Sequence, residues 1–267
     1  MLRPHRFSAR RAAPFRPAAP PAYDTAMASY WRDTRTPRYS LLFALPLLAL
    51  YELLARLVTA DSGIRNGADV LLKSLFLLLG GRHGLTLFAV VVLGTGLVLV
   101  IRDWRKSGAP AGGYFVGMFA ESAVYAACFG AITSLLTGLL LHGPASLAVV
   151  QGKDLGLPTE LVVSLGAGIY EELLFRVVLV GLLARLALAG FGWRPWVAGA
   201  FATVVGAVIF SAFHYIGPLG DTLELGSFTF RMVAGLLLSG LFLARGFGIA
   251  AWTHALYDVF LTLRGGF

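Results

Sequence analysis

The chain has 267 residues, of which 57% are hydrophobic and 13% charged. Soluble domains carry about 25% charged residues, so this composition excludes an ordinary soluble protein. The formal charge of +8 does not mark a nucleic-acid binder, because residues 1–38 hold eight arginines against two aspartates. Most of the excess therefore sits in one terminal arm rather than on a folded reading element. Successive apolar windows of about 17–25 residues can each cross a bilayer as a helix. The predicted class is all-α, a polytopic membrane helix bundle of seven or eight transmembrane helices.

In chain order, residues 1–38 read as a disordered basic arm, cytoplasmic by the positive-inside rule. Residues 1–26 lack the apolar core of a secretory signal peptide, and Met27 is a candidate alternative start. Residues 39–267 read as a single membrane domain. Spans are expected at about 39–58, 84–101, 113–141, 160–189, 196–215, 229–245 and 247–263. An apolar patch at 68–79 contains Asp69 and Lys73; it is short for a crossing and suits the interface. The basic loop "RDWRK" at 102–106 belongs on the cytoplasmic side with the N-terminus, which requires that this patch does not cross. The loop 216–228 carries Asp221 and Glu224 without a basic residue, which fits the outer side. Trp31, Trp104, Trp193 and Trp196 fall near span ends, where indole rings favour the headgroup region. Small residues at 166–168, Gly199, Gly206, Gly235 and Gly240 suit close helix packing in lipid. The single Cys128 excludes an intrachain disulfide and a cysteine-cluster metal site. The expected location is integral to a bacterial inner (plasma) membrane, with the lipid bilayer as a partner and no nucleic acid.

The charges inside the apolar helices are the informative residues. A charge at the bilayer centre costs roughly 2.5–3.5 kcal/mol on insertion scales, yet "YEELLFR" at 170–176 places three together. Glu172 and Arg176 are spaced i,i+4 and can pair. Glu171 is rotated by about 100° and has no such partner within the motif. Glu52 and Arg56 share the i,i+4 spacing and read as a structural pair; Glu121 reads as a packing carboxylate. Of five histidines, His5, His83 and His142 fall in the tail or in loops. His214 ends "FSAFH" and His254 begins "HALYD", both in apolar helices, with Asp258 four residues after His254.

A glutamate with two histidines offers two routes to hydrolysis. The carboxylate can take a proton from water, or Glu171, His214, His254 and Asp258 can hold a zinc ion that acidifies a bound water. No HExxH occurs to mark the common zinc-protease helix. Two other classes fit intramembrane charge: an ion or proton-coupled transporter, and a non-catalytic membrane scaffold or immunity protein. Neither repeat symmetry nor a matched pair of proline-broken helices supports the transporter.

"EELLFR", "FSAFH" and "HALYD", in this order on three membrane helices, resemble the EExxxR, FxxxH and HxxxN/D motifs of the CPBP (also called Abi) intramembrane proteases. That family includes the CAAX prenyl endopeptidases and bacteriocin-processing relatives. The resemblance covers about residues 160–263, the expected protease core. It implies an all-helical intramembrane endopeptidase that cleaves a peptide or membrane-protein substrate without a cofactor. It further implies that Glu171 activates water, His214 assists, and Glu172 and Arg176 order the site. His254 and Asp258 match the positions that stabilise the oxyanion in the family's metal-free mechanism. One departure stands out: eukaryotic CAAX enzymes end the third motif with Asn, and this chain has Asp258. An ionised aspartate cannot donate a hydrogen bond, so it must be protonated, orient His254, or bind a metal.

Overall fold

A computed structural model describes residues 22–142 and 155–265. The described residues form α1 (Ala22–Asp33), α2 (Pro37–Val58), α3 (Gly67–Gly80), α4 (Gly84–Ser107), α5 (Gly112–Leu141) and α6 (Leu157–Gly166). A π-helical segment (Ala167–Val180) continues α6 into α7 (Gly181–Phe191), followed by α8 (Pro195–Phe213), α9 (Leu225–Arg245) and α10 (Phe247–Leu263). Six helical stretches among them are long and apolar enough to cross a membrane, and α10 is a shorter apolar helix. The protein is an all-α polytopic membrane bundle whose outer faces carry a broad belt of exposed Leu, Val and Ile.

The 68–79 patch is α3. The rings of Phe76 and Phe88 lie 5.3 Å apart, whereas twelve residues along one straight helix span about 18 Å. So α3 folds back on α4. The turn between them requires Gly84, whose added Cβ would meet the Phe76 carbonyl at 2.4 Å, and Gly81, with φ +52°. At 14 residues, α3 is about 21 Å long and is not a separate crossing of a ~30 Å hydrocarbon core.

Hydrogen bonds fix which helix ends lie together. The Arg38 backbone N–H donates to Asp103 Oδ2 at 3.0 Å, and its Nη1 donates to the Gly108 carbonyl at 2.7 Å. The Ala111 N–H donates to the Tyr39 hydroxyl at 2.7 Å. The starts of α2 and α5 and the basic end of α4 thus share one end of the bundle.

The same end corrects the expected arm. Residues 1–21 lie outside the described residues, but from Ala22 onward the 1–38 stretch is folded: α1 forms and docks. The cause is Arg245, at the end of α9 and 2% exposed. It donates twice to the Glu121 carboxylate, at 2.6 and 2.8 Å. It also donates to the Trp31 carbonyl and to Thr34 Oγ1, each at 2.8 Å, and lies over the Trp31 ring at 4.0 Å. Glu121 also accepts from the Tyr30 hydroxyl at 2.7 Å. Composition showed the arginines of the arm; the anchor is an arginine more than two hundred residues away.

Close approach through small residues holds the centre together. A Cβ at Gly168 would lie 2.4 Å from the Ala251 carbonyl and 2.5 Å from Ala255 Cβ, so the π segment and α10 touch backbone to backbone. Gly206 abuts Val180, and Gly235 abuts Phe210 and Ala207, whereas Gly199 and Gly240 face open space. Gly168→Val is therefore expected to destabilise the bundle by about 1–3 kcal/mol or more, while Gly199→Ala is neutral. Thermal unfolding of the two variants in detergent checks the contrast.

Candidate active site

The "EELLFR" motif lies within the π-helical segment. Such widened turns are rare and occur frequently at functional sites. Glu171 and Glu172 are 6% and 0% exposed, so neither carboxylate has bulk water to stabilise it. Each must find its partners inside the protein.

Glu172 is paired. Its Oε1 lies 3.1 Å from Arg176 Nη1 and 2.8 Å from His254 Nδ1. Arg176 reaches toward the Gly235 carbonyl at 3.5 Å and packs its guanidinium 4.4 Å above the Phe210 ring. On the far side of the imidazole, His254 Nε2 lies 3.5 Å from Asp258 Oδ2. Glu172 thus joins its own helix to α10, and Asp258 caps the other side of the ring.

Glu171 has a different set of partners. Its Oε1 accepts from Asn66 Nδ2 at 2.9 Å. Its Oε2, like Glu172 Oε2, is buried without a hydrogen-bond partner among the described residues, and it faces His214 Nε2 at 3.9 Å. His214 sits just past the end of α8, with Nδ1 2.9 Å from the Phe210 carbonyl. That carbonyl can only accept, so Nδ1 carries the proton. The neutral ring then presents a lone pair at Nε2 toward Glu171.

All six residues singled out from the sequence therefore meet, as a pair and a group of four: Glu171 with His214, and Glu172 with Arg176, His254 and Asp258. Phe210 separates and supports them, its ring centroid 4.9 Å from His214 and 6.2 Å from His254. Of the two histidines, only His214 has a ring nitrogen within 4 Å of the Glu171 carboxylate. Glu171, His214, His254 and Asp258 do not form a metal cage as they stand. His254 has a carboxylate at each nitrogen, and among the described residues no three His, Cys, Asp or Glu side chains converge on a common point for an ion.

The Glu52–Arg56 pair expected from spacing is replaced by another. Glu52 contacts Arg65 Nη2 at 2.6 Å and Lys73 Nζ at 2.8 Å and accepts from the Tyr170 hydroxyl at 2.6 Å, while Arg56 is exposed. The fold-back of α3 presents two cations to Glu52, and no spacing rule within α2 contains that information.

Asn66 also escaped sequence reading. The "NGAD" stretch at 66–69 carries a helix-start signal, since Asn is a favoured N-cap, and the Asn66 side chain does cap α3. Nothing in the sequence links it to a glutamate 105 positions later.

Two acid–histidine pairs, Glu171 with His214 and Glu172 with His254, thus lie within a multi-helix membrane bundle. Residues 154–260 match the family model described as type II CAAX prenyl endopeptidase Rce1-like. The matched segment contains all three motifs and agrees with their CPBP resemblance. No curated protein and no solved structure matches the chain. Asn66 and the Glu52 cluster lie outside the matched segment.

Removing Arg176 leaves Glu172 with only His254. Arg176→Ala is expected to cost about 3–5 kcal/mol, as when one partner of a buried ion pair is lost. Arg176→Lys recovers only part, because an ammonium cannot reproduce the planar stack on Phe210. Denaturant unfolding of the purified variants measures both.

Proposed function

We propose that the protein is an intramembrane endopeptidase in which Glu171 is the general base and His214 its partner. The observation that carries this is the buried Glu171 Oε2, without a hydrogen-bond partner among the described residues and 3.9 Å from His214 Nε2. Two facing acceptors at that separation suit one water that donates a hydrogen to each. As the water oxygen bonds to the substrate carbonyl carbon, its proton passes to the carboxylate. The tetrahedral intermediate then collapses, the C–N bond breaks, and the departing amine takes that proton. Low dielectric strengthens each of these interactions.

His254 has the oxyanion-stabilising role in this reading. Its Nδ1 is anchored on Glu172, and its contact with Asp258 at 3.5 Å is long enough to be exchanged for a developing alkoxide. Asp258 orients the ring through that contact until the exchange and does not itself donate, which meets the chemical objection to an aspartate at this position. The substrate is a peptide segment that can enter the bilayer, and the family match raises C-terminal CAAX-type peptides as the first class to try. The route is metal-independent.

Glu171→Gln and His214→Ala are each expected to lower cleavage of a membrane-embedded reporter peptide by about 10²–10⁴-fold with insertion and folding intact. Full activity in either variant removes the role given to that residue. Cleavage is expected to persist after dialysis against a strong chelator; loss that zinc restores would replace the glutamate route with a metal one. If Glu171-dependent solute flux into liposomes is found without hydrolysis, the protein is a carrier.

We also infer that the end bearing α1 faces the cytoplasm of a bacterial inner membrane. Arg32, Arg35, Arg38, Arg102, Arg105 and Lys106 all lie at that end, which is the side the positive-inside rule selects. In a Cys128→Ser background, a cysteine at Ser107 is expected to react with an impermeant thiol reagent in inverted vesicles and not in intact cells. The reverse pattern would turn the protein over.

A further inference from the structure

We propose that Asn66, at the N-cap of α3 and outside the motif-bearing helices, is the positioning residue for Glu171; this rests on Glu171 being the base. The Asn66 side chain is 2% exposed and both ends of its amide are committed. Oδ1 accepts from the Ala68 backbone N–H at 2.9 Å, the N-cap contact of α3, and Nδ2 donates to Glu171 Oε1 at 2.9 Å. The two partners demand the same amide orientation, since a backbone N–H can only donate and a carboxylate here accepts. The result is an asymmetric carboxylate. Oε1 is occupied, and Oε2 is left to face His214.

Asn66 is itself held. Its backbone N–H points at the Tyr51 hydroxyl at 3.3 Å, which donates to Asp69 Oδ2 at 2.8 Å. Asp69 also binds Arg65 and Lys73, which bridge to Glu52, and Glu52 accepts from Tyr170, the residue preceding Glu171. Gly166, on the helix leading into the motif, leaves the room Asn66 needs: a Cβ there would lie 2.6 Å from Asn66 Cβ. A closed polar circuit thus runs from α2 through α3 to both sides of Glu171. An amide suits the junction because it donates one hydrogen bond without supplying a charge that would neutralise the base.

The test uses two substitutions that keep an N-cap oxygen. Asn66→Ser caps α3 but is too short to reach Glu171, and Asn66→Asp keeps shape and cap while replacing the donor with an acceptor. Both are expected to lower kcat for the reporter peptide by about tenfold or more, the size of a hydrogen bond to a charged group. KM is expected to change by less than about twofold, because the contact acts on the base rather than on substrate binding.

Infrared difference spectra against Glu171→Gln give a readout independent of activity. Each Asn66 variant is expected to shift the Glu171 carboxyl bands, while the thermal midpoint of Asn66→Ser stays near that of the parent. Unshifted bands, a parental kcat, a loss carried by KM, or failure of both variants to fold overturns the proposal. If the parent protein cleaves nothing, the protease reading fails by that result, and the band shift alone decides whether Asn66 holds Glu171.

Discussion

The constraint on which this structure turns is the placement of two adjacent carboxylates where no bulk water reaches. Adjacent residues on a helix point in different directions, and the bundle exploits this by giving each glutamate its own company. Glu172 receives a guanidinium and an imidazole, which balance it and tie the π segment to α10. Glu171 receives an amide on one oxygen and a histidine beyond contact distance on the other. Burial without full pairing is costly in low dielectric. In the proposed mechanism, the Glu171 oxygen left beside the imidazole lone pair is the one that takes the proton.

The surrounding packing follows from that requirement. Glu172 can reach His254 only if α10 approaches the π segment at backbone distance, and Gly168 against Ala251 and Ala255 permits this. Arg176 can sit at Glu172 only if its flat face has somewhere to lie, and Phe210 supplies it. The same Phe210 carbonyl fixes the His214 tautomer. One residue of "FSAFH" therefore serves both couples, through its ring and its backbone.

What the sequence disclosed and what it concealed divide along a physical line. Periodicity and hydropathy reveal helices and their neighbours along the chain, so the spans and the Glu172–Arg176 pair could be read directly. Motif order brought His214, His254 and Asp258 into the same proposal because each lies on a strongly apolar helix. Contacts made by folding back were not readable. Glu52 was expected to meet Arg56 and instead meets Arg65 and Lys73, because α3 returns toward α2. Arg245 ordering α1, and Asn66 reaching Glu171, are of the same kind: long-range partners without a local pattern. The small-residue signal was readable in part, since Gly168, Gly206 and Gly235 mark close approaches while Gly199 and Gly240 do not.

The two charge clusters differ in hydration, and that difference organises the inner half of the molecule. In the Glu52 cluster, the side chains of Arg65, Glu52 and Lys73 are 25%, 28% and 20% exposed. Three of its four charges stand where water can still share the cost of holding them, and the fourth, Asp69, is 0% exposed. Around Glu172 and Arg176 the exposure falls to 0% and 1%, and a further unbalanced charge there would be far more expensive. The link between the wetter cluster and the dry one is neutral, through the Tyr51 and Tyr170 hydroxyls and the Asn66 amide. In the proposed mechanism, a lysine at position 66 could reach the same carboxylate, but its charge would pair with Glu171 and remove the proton affinity that the proposed base needs. Holding Glu171 by a neutral donor keeps its orientation and its reactivity separate, and the α2–α3 cluster provides the rigid support from which a neutral donor can act.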